Sequence, residues 1–181
     1  MVVHYTNYYD LENYILSDVG RSFRNHGQLN AFDFFCIIIW KDNKIKTKVA
    51  RQLLARNSDI EKSVNELTRK IYSADSDRQR LWILIHEYKF RLTMASAILA
   101  LLYPDNFTMY DPRICNTLKK NNRLAAIENF DTLWRGYSEY IQCIRNYGPQ
   151  HLSLRDKNRL IWGESFYNKL VGDLQGAFKR S

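Results

Sequence analysis

The sequence predicts an all-α fold, and three observations carry that prediction. Apolar residues recur at spacings of three and four along most of the chain, while few segments alternate with period two. Gly and Pro together number only ten in 181 residues, and they fall between the periodic stretches rather than inside most of them. Three of the stretches also start with good helix caps: Asn30, Ser58 or Asp59, and Asp111.

The elements follow in order. Tyr8, Leu11, Ile15, Val19 and Phe23 make one helical stripe that ends near Gly27. Asn30 caps a second helix through Phe34, Phe35, Ile38 and Ile39 to Trp40, and Asp42-Asn43 breaks it. Phe34 to Trp40 also fits a buried strand in composition, but its flanks have helical period. Lys46–Arg56 and Asp59–Tyr72 read as two further helices, the second with Ile60, Val64, Leu67 and Ile71 on one face. Ser76–Glu87 follows, with Leu81, Trp82, Ile85 and His86 turned inward or partly so. Leu92–Tyr103 is apolar all round, which marks a central buried helix, and Pro104-Asp105-Asn106 stops it. Asp111-Pro112 restarts the chain as a helix to Leu118, since Asp caps well and Pro suits the first helical position. Asn129–Tyr147 is long and amphipathic and ends at Gly148-Pro149. Ser153–Trp162 and Glu164–Phe178 close the chain as two helices. There is no internal repeat, low-complexity segment or separating linker.

Composition narrows the function. The charge is +8, from 27 Lys and Arg against 19 Asp and Glu, which favours a polyanionic partner. No apolar run is long enough to span a membrane, and Met1–Tyr9 lacks the basic and apolar regions of a secretory signal. A cytoplasmic, nucleoid-associated monomer without membrane contact is therefore expected. Cys36, Cys115 and Cys143 are far apart, fit buried reduced thiols, and are too few for a four-cysteine cluster. Phosphate-loop, dinucleotide and zinc-protease motifs are absent, and His4, His26, His86 and His151 lack metal-ligand spacing. No metal or other cofactor is expected.

The informative stretch is Leu92–Leu118, LTMASAILALLYPDNFTMYDPRICNTL. A small-residue helix around Ala95-Ser96-Ala97 leads through a short loop to Tyr110-Asp111-Pro112-Arg113. Two flanking pieces occur in order: Leu29–Lys41, ending Ile39-Trp40-Lys41, and Leu152–Trp162, LSLRDKNRLIW. Together these resemble the helix-hairpin-helix DNA glycosylase superfamily, in its compact 8-oxoguanine DNA glycosylase-like branch, over roughly a third to two-fifths of the chain.

The resemblance implies a helical barrel over residues 45–128 and a lobe formed by residues 1–44 with 129–181, the two making one glycosylase-like domain with the substrate base in the cleft between them. It implies double-stranded DNA as partner and hydrolysis of an N-glycosidic bond, leaving an abasic site. Asp111 takes the catalytic position. Capping and catalysis are compatible there, because a helix N-terminus favours an ionised carboxylate and the developing oxocarbenium charge needs one. Lys89, Phe90 and Arg91 take the hairpin, with Thr93 at the start of the next helix and Arg113 beyond Asp111 as further DNA contacts. Trp40, Lys41, Arg155, Arg159 and Trp162 take the base pocket, where an aromatic face suits a flipped base.

Two departures from the family pattern refine this. The hairpin has no glycine, so its phosphate contacts fall to the side chains of Lys89 and Arg91. The place of a Schiff-base lysine is held by Thr93 or Met94, which predicts an enzyme without lyase activity. The substrate is a damaged base or a modified base in foreign, phage-type DNA. The rival expectations are a DNA-binding protein of the same fold without catalysis, and a helical protein-interaction module.

Overall fold

The computed structural model describes residues 5–120 and 123–176, and every regular element among them is helical. The chain divides into two compact units, Met1–Asn106 and Phe107–Ser181. This division differs from the grouping of residues 45–128 against 1–44 with 129–181. The N-terminal helices pack on the middle of their own unit, so they are not set apart from it.

In the first unit, α1 (Leu11–Tyr14) runs through a π-helical turn (Ile15–Val19) into α2 (Gly20–His26). Gly27 ends it with φ +69°, a left-handed conformation that glycine adopts without strain. Ile15, Val19 and Phe23 are fully buried, as the stripe predicts. Helix α3 (Ala31–Asp42) is capped by Asn30, whose side chain accepts from the Asp33 amide at 2.8 Å. Asp33 is itself buried, and its carboxylate accepts from the Tyr14 hydroxyl at 2.6 Å and from the Asn30 amide nitrogen at 2.9 Å. That network satisfies a carboxylate that burial would otherwise penalise, and it ties α1 to α3.

Helix α4 (Lys46–Leu54) follows a short 3-10 turn, and α5 (Ile60–Ser73) is capped by Asp59 and buries Val64, Leu67 and Ile71. Ser76 caps α6 (Asp77–Trp82), which passes into a second π-helical turn (Ile83–Glu87). Trp82 is exposed rather than inward and stacks on His86 at 5.5 Å. The inward places near it belong to Leu81, Ile83 and Leu84. In α7 (Leu92–Leu102) every residue except Thr93 is buried. Helix α3 packs on α5 and α7, and α2 packs on α7.

The second unit contains α8 (Pro112–Thr117), α9 (Phe130–Arg145) and α10 (Leu154–Gln175). Helix α10 packs on α8 and α9. The two closing helices expected from the sequence are one. Gly163 lies inside it, and a Cβ built there would meet nothing within 4 Å, so the residue marks no bend and no close approach. Phe178 is outside the described residues. Beyond Ile161 the helix leaves Trp162, Phe166, Tyr167, Leu170 and Leu174 exposed. Cys36 and Cys115 are buried free thiols, and Cys143 is half-buried. No described helix is long and apolar enough to cross a membrane.

Candidate functional site

The expected site residues fall into two groups, one in each unit. In the first unit the chain from Tyr88 to Leu92 alternates. Tyr88, Phe90 and Leu92 are buried, while Lys89 and Arg91 are exposed. The apolar residues anchor the turn between the π-helical turn and α7, and the basic ones stand out from it. Lys89 has φ +58°, the left-handed region in which a non-glycine residue is strained. The glycine-free hairpin thus reaches a glycine-type backbone conformation with a lysine.

What holds that conformation is a set of braces from α4, from Arg56 just beyond it, and from α5. Gln52 donates its side-chain amide to the Lys89 carbonyl at 3.3 Å. Arg56 donates to the Glu87 carbonyl at 2.8 Å, with its guanidinium carbon 4.4 Å from the centre of the Tyr88 ring. Lys70 pairs with the Glu87 carboxylate at 2.9 Å. That hydrogen bond holds the Lys70 amine above its ordinary value of 10.5.

Arg91 occupies the N-cap position of α7 and makes no side-chain cap there. Both basic side chains and the N-terminal end of an 11-residue helix therefore share one short segment, a suitable combination for a phosphate. Phe90 is placed differently from its two basic neighbours. Its side chain is buried and its N–H is spent on the Leu84 carbonyl at 2.9 Å, so it supports the turn. Thr93 is half-buried in the first turn of α7. Trp40 and Lys41 are half-buried in the last turn of α3.

In the second unit, Asp111 caps α8. Its Oδ1 accepts from the Arg113 N–H at 2.9 Å and from Arg113 Nε at 3.2 Å. Its Oδ2 accepts from Arg113 Nη2 at 3.0 Å. The acid is mostly buried, its side chain 15% accessible against 62% for Arg113. The arginine reaches further. Its guanidinium carbon lies 5.3 Å from the centre of the Trp162 ring, and Trp162 stacks on Phe166 with centroids 5.7 Å apart and planes 3° from parallel. The structure therefore brings Asp111, Arg113 and Trp162 together. Arg155 and Arg159 lie on α10 at helical spacing from Trp162, and Arg159 also approaches Asp156 at 3.8 Å.

The loop that delivers Asp111 is pinned by residues that sequence reasoning missed. Tyr137 donates its hydroxyl to the Thr108 carbonyl at 2.6 Å, and Tyr140 donates to the Met109 carbonyl at 2.9 Å. The Asp111 N–H in turn donates to the Tyr140 hydroxyl at 3.3 Å. Asn158 on α10 adds a second donor to Met109 at 3.0 Å. Burial pushes the Tyr140 phenol far above its ordinary value of 10.0, so it remains a donor throughout the physiological range. The signal for these residues was present but faint. Tyr137 and Tyr140 stand three apart on the buried face of an amphipathic helix, and Asn158 is a buried polar residue in α10.

Among the described residues no group of three or more His, Cys, Asp or Glu side chains is placed to hold a metal ion. A pocket of about 190 Å³ in the second unit is lined by Lys120, Leu124, Arg135, Gly136 and Tyr140, among others. Comparison of the chain with protein-family models, with curated proteins and with solved structures finds no match.

Proposed function

We propose that this protein is a monofunctional DNA glycosylase of helix-hairpin-helix type, which hydrolyses the N-glycosidic bond of a damaged or modified base. The observation that carries the reading is the Asp111 carboxylate. It is mostly buried, fixed at a helix N-terminus and delivered by a loop whose carbonyls are tied down. Such a group suits a reaction in which positive charge develops on a sugar ring. Water oxygen bonds to the sugar C1′. The C1′–N bond breaks with its electron pair going to the base nitrogen, which takes up a proton. The proton lost by water passes to the carboxylate and from there to solvent, and solvent supplies the proton that the base nitrogen takes up.

Support for DNA as the partner comes from Lys89 and Arg91 on the strained hairpin, and from the charge of +8. The absence of lysine at Thr93 and Met94 supports hydrolysis without strand cleavage. A second reading, a DNA-binding protein of this fold without catalysis, is favoured by one observation: Arg113 occupies both carboxylate oxygens.

The test is mass spectrometry of bases released from cellular DNA and from phage DNAs carrying different modifications. The wild-type chain should release one base class and leave alkali-labile sites, with no covalent adduct trapped by borohydride. Asp111→Asn should lower release by on the order of 10²–10⁴-fold while DNA binding persists. Wild-type release by that variant removes Asp111 from the chemistry, and no release from any DNA favours the second reading.

A further inference from the structure

The contacts of Arg113 make it more than a neighbour of the acid. Both Asp111 oxygens are engaged by its guanidinium, and among the described residues Oδ1 alone has a further donor, the Arg113 main-chain N–H at 2.9 Å. A side chain that is 62% accessible therefore covers one that is only 15% accessible. We propose that Arg113 is a two-position residue, paired with Asp111 in the free protein and transferred to a DNA phosphate in the complex, so that the carboxylate is uncovered only when DNA is bound. This proposal rests on the reading of the chain as a DNA glycosylase.

Three features support the exchange. An ion pair that solvent reaches is weak, so little is lost when the guanidinium leaves. A tetrahedral phosphate, like a planar carboxylate, presents two anionic oxygens that one guanidinium can bridge, so the arginine exchanges one bidentate partner for another. The acid also stays in place when the arginine moves, because the main-chain bond to Oδ1 and the tyrosine-pinned loop do not depend on the guanidinium. Trp162 gives the moving group a fixed neighbour. The guanidinium lies against that ring, whose other contacts include the parallel ring of Phe166.

The exchange has a simple consequence for the free enzyme. A covered carboxylate neither attracts cations nor activates water, so chemistry is confined to the DNA complex. Arg113 acts here as a positioning residue, and its signature is in binding as well as in turnover.

The test uses the full chain and an unmodified duplex of about 20 base pairs, with affinity measured by fluorescence anisotropy over a range of salt concentrations. Four proteins are compared: wild type, Arg113→Gln, Asp111→Asn, and the double variant. Transfer to a phosphate predicts that Arg113→Gln lowers the slope of log affinity against log salt by about one unit. Asp111→Asn keeps the wild-type slope and binds up to about fivefold more tightly, because nothing competes for the arginine. In the Arg113→Gln background the same change gives a smaller gain. If wild type binds with normal salt dependence and Arg113→Gln leaves both slope and affinity unchanged, the arginine stays on the acid and this proposal alone is overturned. If wild type shows no salt-dependent binding, the DNA reading falls and this proposal falls with it.

Discussion

The hairpin at Lys89 and the loop before Asp111 solve one problem in opposite ways. Each must hold an irregular piece of backbone without glycine. The hairpin does so with strain and charge: a left-handed lysine, an ion pair at Glu87 and an arginine against Tyr88, all reached by solvent to some degree. The loop does so with neutral buried hydrogen bonds from Tyr137, Tyr140 and Asn158. The first arrangement keeps positive charge at the surface. The second keeps a single negative charge in one position. Salt and pH should disturb the first, and truncation of a side chain should disturb the second.

The largest effects are therefore expected in the loop. Tyr137→Phe and Tyr140→Phe each remove a donor from a carbonyl at the core of the second unit and should cost about 1–3 kcal/mol in chemical denaturation. Asn158→Leu shares the Met109 carbonyl with Tyr140, so the pair should be non-additive in a double-mutant cycle. Additive losses would mean that the loop is not held as a unit.

A smaller effect, of opposite sign, is expected at the hairpin. Lys89→Gly relieves a left-handed side chain, so stability should rise by up to about 1 kcal/mol, while the salt slope of DNA binding falls by about one unit. A loss of stability would show that the lysine stem contributes packing that outweighs the strain.

The smallest effect concerns Lys70. Its pair with Glu87 is partly exposed, so Lys70→Met should cost no more than about 1 kcal/mol, and less in high salt. The amine is held above its ordinary value of 10.5, chiefly by the Glu87 hydrogen bond. Its contribution is therefore complete below that pH and is lost as pH rises through the higher folded value. Denaturation of wild type and Lys70→Met at pH 7 and near pH 11 checks this, and the difference between them should shrink at the higher pH.

Most of the helical plan was legible because caps and apolar spacing are local. Asn30, Asp59 and Asp111 cap the helices assigned to them, and the structure adds Ser76, Asn129 and Ser153 as caps at the starts of three more. The failures have physical causes. Gly163 reads as a break, but a glycine on an exposed helical turn weakens the helix without ending it. Trp82 reads as inward or partly so beside Leu81 in its helix, yet it is exposed and stacks on His86. At the site, the type and position of Asp111 could be read from Asp-Pro, but its partners could not. Tyr140 and Asn158 are 29 and 49 residues away from the groups they hold. Such pairings depend on how helices meet, and periodicity does not encode that.

The two π-helical turns give the molecule a tolerance of another kind. A π turn holds one residue more than the helix around it, in effect an insertion absorbed without leaving the helix. In the first, Ile15–Val19, the wider turn takes up that residue, so the segments on either side keep nearly the phase of an unbroken α-helix. Deleting the exposed Ser17 would return the stretch to a plain α-helix and leave Tyr14 close to its present bearing on Asp33. The same deletion within α5, an uninterrupted α-helix, would turn one end against the other by about 100° about the axis. The first stretch therefore absorbs a change of length that an ordinary helix of the same unit does not.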